Sequence, residues 1–277
     1  MVLRSRTCHI PFSAVGLGGA TVAIGLRWPS GGLAVKDWGL VRGKRYPVSP
    51  VGGNGVVSVL VASFAAPMFA TNCWIIAPGP GQECIIIDPG MPDVTHEVAQ
   101  ICDQYNLKPV ALFVTHGHLD HTFSVVPVCA GYNIPTYIHS EDRILLEHPE
   151  RALSREFATT LEGSVFHEPS DVRELRNGEE LEFLDMKIKA IHAPGHTRGS
   201  LLYSFNDEIL VSGDVLFAGS IGRTDQPTGS STDMENTLRK KIFPLDDAIR
   251  VLPGHGPETT IGFEKRTNPY LKNLGGR

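Results

Sequence analysis

At four points in this chain an apolar run stops close to a glycine and gives way at once to histidine or aspartate. They are "PVALFVTHGHLDH" at 109–121, "APGHTRGS" at 193–200, "LVSGDVLF" at 210–217 and "LPGHGPE" at 252–258. Glycine beside a strand end lets the backbone turn sharply and approach a ligand closely. Buried strands that end in polar side chains place them on the loops where layered folds carry their function. A chain with several such strands is best satisfied by a two-sheet sandwich with outer helices.

The first stretch sets three histidines and an aspartate within six residues, a density that points to metal binding. His116 and His118, two apart in an extended loop, project to the same side. Asp120 and His121 lie a turn further on and diverge toward a second position. One tetrahedral zinc needs only four ligands, so the local cluster alone does not require two ions. His196, Asp214 and His255 bring the candidates to seven. Three neutral imidazoles, His116, His118 and His196, suit one site; Asp120, His121 and His255 suit the other, with Asp214 available to bridge them. Any one of these residues alone would be read as a solvated loop side chain, so the joint pattern carries the argument. His9, His96, His139, His148, His167 and His192 follow no such pattern; His192, near His196, comes closest to an exception.

Elsewhere the texture is that of short strands and helices. "VVSVLVASF", "NCWIIAP" and "ECIIIDPG" read as antiparallel strands. "DVTHEVAQICDQYN" then places Val94, Val98, Ile101 and Cys102 on one helical face, with Asp93 as N-cap. A helix through about Ala130 follows the ligand cluster, then the strand "PTYIH". The polar stretch 140–171 is helical in parts and has no clear period. A second run of strands, "EELEFLDMKIKAIHAPG", "SLLYSF" and "EILVSGD", leads to a helix at "STDMENTLRKKIF", a strand at "AIRVLPGH" and a terminal helical segment broken near Pro269.

Composition separates residues 1–56 from the rest. They hold seven Lys/Arg and one acid, Asp37, which leaves 18 basic and 29 acidic residues for 57–277. The body is therefore at -11, and without a basic stripe it argues against nucleic acid as the main partner. The leader shows the charge-then-apolar order of a signal peptide, but glycine dilutes the apolar part and no small-residue cleavage site follows. It is read as a flexible, basic, Gly/Pro-rich extension, with a targeting role left open, ahead of a single domain over 57–277. Cys8, Cys73, Cys84, Cys102 and Cys129 are odd in number with no close pairs, which suggests neither a disulfide framework nor a cysteine zinc site. No run of about 18 apolar residues suggests a membrane span. A cytoplasmic location is expected.

In order, "THGHLDH", "GHT", "GD" and "GHG" resemble the metal-site signature of the metallo-β-lactamase superfamily over roughly residues 57–277. The resemblance implies an α/β (α+β) fold, the αββα sandwich of two mixed β-sheets flanked by helices. "LFAGSIGRTD" and "LPGHGPETTIGFEKRTNPYL" resemble the short bacterial glyoxalase II-like, or hydroxyacylglutathione hydrolase-like, proteins. That implies hydrolysis of a small-molecule thioester by a metal-bound hydroxide at a centre of two Zn²⁺ per chain. The chain ends soon after His255, without the full C-terminal helical domain that helps larger glyoxalase II enzymes hold glutathione.

On this reading Asp120 orients the nucleophile as well as ligating. Arg223 in "GRTD" stands where the resembling enzymes place a basic residue to pair with the substrate carboxylate; a structural pair with Asp225 is the competing reading. Imidazole and carboxylate also suit iron and manganese. The principal alternative is a persulfide dioxygenase, similar in fold and in "GRTD", with one iron on His116, His196 and Asp214. A lactonase and a noncatalytic metal-stabilised binding module are the others.

Overall fold

The computed structural model describes residues 41–48, 57–272 and 274. Seven strands form the first sheet in sequence order: β1 (Val41–Val48), β2 (Val57–Ala65), β3 (Asn72–Ala77), β4 (Glu83–Ile87), β5 (Lys108–Phe113), β6 (Thr136–His139) and β7 (Val172–Leu175). The first four pair antiparallel and the last four parallel, so the sheet is mixed. The second comprises β8 (Glu180–Phe183), β9 (Met186–His192), β10 (Leu201–Phe205), β11 (Ile209–Gly213), β12 (Arg250–Pro253) and β13 (Thr259–Thr260), with β11 and β12 the parallel pair. The helices are α1 (Thr95–Tyr105), α2 (Leu119–Thr122), α3 (Val125–Tyr132), α4 (Ser140–Arg143), α5 (Arg155–Thr160), α6 (Ser231–Thr237), α7 (Ile261–Thr267) and α8 (Pro269–Lys272).

Three apolar clusters define four layers. Ile75, Cys84, Ile86 and Leu112 pack with Val98 and Ile101 of α1 and Val128 of α3. Their neighbours in sequence, Trp74, Ile76, Ile85 and Phe113, point to the other face and meet Tyr203, Phe205 and Val211 of the second sheet. Leu202, Leu210 and Val251 cover the far side of that sheet against Met234, Ile261 and Leu271. Strands such as "CIII" are continuously apolar because both their faces are buried. Tyr203 ties the sheets together, its hydroxyl donating to the Val114 carbonyl at 2.8 Å. This is the αββα sandwich, two mixed sheets flanked by helices, that the strand and helix pattern and the resemblance both led us to expect.

Several local expectations shift. Of the segment 1–56 expected as an extension, residues 1–40 and 49–56 lie outside the described residues, while 41–48 form β1 and pair antiparallel with β2. Gly43, Lys44, Arg45 and Pro47 obscure any alternation there, and such residues are tolerated on an edge strand. Helix α1 starts at Thr95 with Val94 as N-cap; Asp93 instead accepts the Thr95 N–H at 3.0 Å, a local Asx turn. The helix expected through Ala130 is two, α2 and α3, separated at Phe123 and Ser124. "STDMENTLRKKIF" begins as α6 and widens into a π-helical turn over Leu238–Ile242.

Candidate metal centre

The loop after β5 carries His116 and His118 and runs directly into α2, which presents Asp120 and His121. The loop between β9 and β10 brings His196, the end of β11 brings Asp214, and the turn after β12 brings His255. All seven residues singled out in the sequence meet at one edge of the sandwich, in three overlapping groups.

In the first, His116 Nε2 lies 3.1 Å from His118 Nδ1 and 3.2 Å from His196 Nε2. Ligand atoms of a tetrahedral zinc at about 2.0–2.1 Å stand ~3.4 Å apart, so this spacing fits an ion. In the second, His255 Nε2 lies 3.3 Å from both His121 Nε2 and Asp120 Oδ2. Asp214 faces both groups, with Oδ1 3.4 Å from His121 Nε2 and Oδ2 3.5 Å from each of His196 Nε2 and His255 Nε2. His118 Nε2 and Asp214 Oδ1 are buried without a hydrogen-bond partner. A buried carboxylate oxygen with no hydrogen bond, facing only the His121 imidazole at 3.4 Å, favours a cation beside it. The donor set and its spacing therefore fit metal ions.

The electrostatics agree. Burial, with help from His196, lowers the His118 imidazole to about 3. Burial and the neighbouring His121 and His196 likewise hold His116 well below its ordinary range. Burial alone would raise Asp120, but His121 and His255 outweigh it and keep the carboxyl well below the usual carboxylate range. Burial also opposes a charge on His121; the carboxylates of Asp214, Asp120 and Asp88 overcome that and raise it to about 10. The carboxylate field thus favours a positive charge at the centre of the site.

Two buried aspartates that the sequence reading passed over hold this geometry. Asp88, just past β4, accepts the Thr115 N–H at 2.8 Å, the Thr115 hydroxyl at 2.6 Å and His121 Nδ1 at 2.9 Å, turning His121 Nε2 toward the site. Its signal, an acid closing the apolar run of "IIIDPG", was the same as that of Asp214. Asp142 in α4 accepts the Gly117 N–H at 2.8 Å, the Thr197 hydroxyl at 2.6 Å and the Gly199 N–H at 2.7 Å. One carboxylate thereby joins the His116/His118 loop to the His196 loop. Gly254 has its own reason to be glycine: a Cβ there would collide with Asp214 Oδ1 and sit 2.8 Å from His121 Cε1.

Arg223 lines the same cavity, but its guanidinium makes two 2.8 Å bonds to Asp225, and its carbonyl oxygen lies 2.8 Å from His196 Nδ1. His139 and His192 stack on each other at 4.0 Å, outside every group of potential ligands. Cys73, Cys84, Cys102 and Cys129 are buried and free. Among the described residues no helix is long and apolar enough to cross a membrane.

The profile of the metallo-beta-lactamase superfamily matches residues 66–255, a span that includes all seven residues. This chain belongs to the metallo-beta-lactamase superfamily. Within it, an uncharacterised Mycobacterium tuberculosis protein is 40% identical over 223 residues, covering 78% of this chain and 99% of that protein. Hydroxyacylglutathione hydrolase GloC of Haemophilus influenzae is 32% identical over 207 residues, 74% of this chain and 94% of its own. Among solved structures, the BLEG-1 B3 metallo-beta-lactamase shares 33% identity with a TM-score of 0.67 and covers 76% of this chain and 99% of that one. TTHA1623, solved in a di-iron-bound form, shares 30% identity with a TM-score of 0.58 over 81% of this chain and 100% of its own. Superfamily membership, these relatives and the clustered histidines and aspartates support a metal-dependent hydrolase.

Proposed function

We propose that the chain hydrolyses a thioester, converting it with one water to a carboxylic acid and a thiol, at a centre of two zinc ions. One observation carries the reading: Asp214, lining a single cavity, reaches both sides of the cluster, 3.4 Å from His121 Nε2 and 3.5 Å from each of His196 Nε2 and His255 Nε2. His116, His118 and His196 would hold one ion, Asp120, His121 and His255 the other, and Asp214 both. Zinc in such a site lowers the pKa of water from 15.7 toward about 7 and polarises a carbonyl oxygen. With two dications and two carboxylates the ligand set keeps a net positive charge, suited to the oxyanion that develops during acyl transfer. Asp120, whose Oδ2 accepts from the Thr71 hydroxyl at 3.2 Å, is held where it can orient the attacking water. A thiolate leaves readily, so the absence of a further acid from the proposed set is no obstacle.

The relative named for hydroxyacylglutathione hydrolysis supports a thioester and supplies the reference substrate. The test is turnover of S-D-lactoylglutathione and simple acyl thioesters by zinc-loaded protein, after chelation and after zinc is restored. The reading expects turnover of at least one of these thioesters, lost and regained with the metal. Oxygen uptake with glutathione persulfide, one iron per chain and no hydrolysis would replace it with the dioxygenase alternative.

A further inference from the structure

The cavity above the metal ligands, about 390 Å³, has a character that the ligands alone do not give it. Its floor is His118, Asp120, His196, Asp214 and His255; its walls include Phe69, Met91, Leu153, Phe157, Leu161 and Phe217. Phe157 and Leu161, four residues apart at α5 and its C-terminal end, share one side of the helix, and Leu153 just ahead of it continues the wall. Phe157 keeps 50% of its surface exposed and Phe69 54%, although both border the cavity. Large apolar side chains left open around a reaction centre mark a binding surface. Phe217 packs edge-on to the His255 ring at 6.0 Å, so the apolar wall reaches the ligands themselves.

The polar inventory of the cavity is short. Besides the histidines, Asp120 and Asp214, its polar side chains among the described residues are Thr160, Gln226 and Arg223, and the Arg223 guanidinium makes two bonds to Asp225. A small hydroxyacyl group would not extend along Leu153, Phe157 and Leu161.

Resting on the thioester hydrolase reading above, we infer that this cavity selects the acyl group, and that its substrates carry an apolar acyl chain or an aromatic acyl group rather than lactoyl. The carbonyl lies over the ligand cluster, the hydrocarbon runs along Leu153, Phe157 and Leu161, and the thiol carrier extends to solvent. Each methylene buried strengthens binding about fourfold, the equivalent of about 0.8 kcal/mol.

The test uses the zinc-loaded full chain and two series on one neutral carrier, N-acetylcysteamine. Acyl thioesters from acetyl to hexanoyl report kcat/KM, and the matching non-hydrolysable S-alkyl thioethers report Kd by calorimetry. Both are expected to improve about fourfold per methylene, with a negative heat-capacity change on binding. Phe157→Ser is expected to flatten both slopes; Phe157 is half-exposed, and circular dichroism verifies the fold of the variant. Hydrolysis with flat slopes in both series overturns the inference and leaves the hydrolase reading standing. Thioethers that bind more tightly with length, beside no cleavage of any thioester, overturn the hydrolase reading and with it an acyl-thioester occupant. Flat slopes together with a dimer that Phe157→Ser dissociates assign the apolar wall to a second copy of this chain and overturn the inference.

Discussion

Asp142→Asn removes one charge and almost no volume from the side chain that joins the two histidine-bearing loops. The native carboxylate accepts three hydrogen bonds, two at Oδ2 and one at Oδ1, and Asp142 is fully buried. An amide has one acceptor oxygen. If that oxygen stays with the Gly117 N–H and the Thr197 hydroxyl, the new NH₂ faces the Gly199 N–H, and a buried donor is left unpaired. Losing one hydrogen bond to a charged group and stranding its donor costs about 1–3 kcal/mol, and weakening the other two by removing the charge adds to it. We expect about 3 kcal/mol of lost stability in urea unfolding of the metal-free protein. Gly117 lies between His116 and His118, and Thr197 follows His196, so the loosened backbone carries three ligands of one group. A partner that orients metal ligands typically contributes 10–100-fold in metal affinity. Chelator-competition titration should therefore show zinc affinity reduced by about that factor. Zinc affinity equal to the native value in a destabilised variant would refute the positioning role, and native stability would refute the accounting of the three bonds.

Gly254→Ala should lower metal stoichiometry from about two per chain toward one by elemental analysis. The added Cβ collides with Asp214 Oδ1, and the backbone cannot withdraw because Gly254 bonds to Gly213 and Asn72 at 2.8 and 2.7 Å. Tyr203→Phe leaves the buried Val114 carbonyl without its donor and should cost about 1–3 kcal/mol in urea unfolding without changing metal content. Burial and the adjacent His192 hold His139 below the ordinary imidazole range. The unfolded chain then binds more protons below pH ~6.5, so native stability falls as pH drops through that value. His139→Asn, which retains an acceptor for the Glu141 N–H, should gain on the native protein between pH 7 and 5 in thermal unfolding; a constant difference would exclude the effect.

The parts legible in the sequence were those where one local pattern repeats. His116, His196, Asp214 and His255 each follow a buried strand and adjoin glycine, so their convergence was readable without any contact in view. Asp142 offered no such signal. It sits in "HSEDR", an acid among acids and bases, and only the folding of α4 against two distant loops makes it a shared acceptor. The 140–171 region was opaque for a related reason: its helices α4 and α5 are four and six residues long, too short to show a period. Strand β1 was hidden by the Lys, Arg, Gly and Pro that an edge position permits. Arg223 in "GRTD" allowed two readings; the structure shows its guanidinium paired with Asp225 while the residue lines the cavity.

The most direct test of the two-metal hydrolytic centre is the metal content of the purified protein by elemental analysis, measured on the sample that is assayed for thioester cleavage. The account predicts close to two zinc ions per chain and cleavage that scales with occupancy. One iron per chain, with persulfide-dependent oxygen uptake and no thioester cleavage, would contradict it.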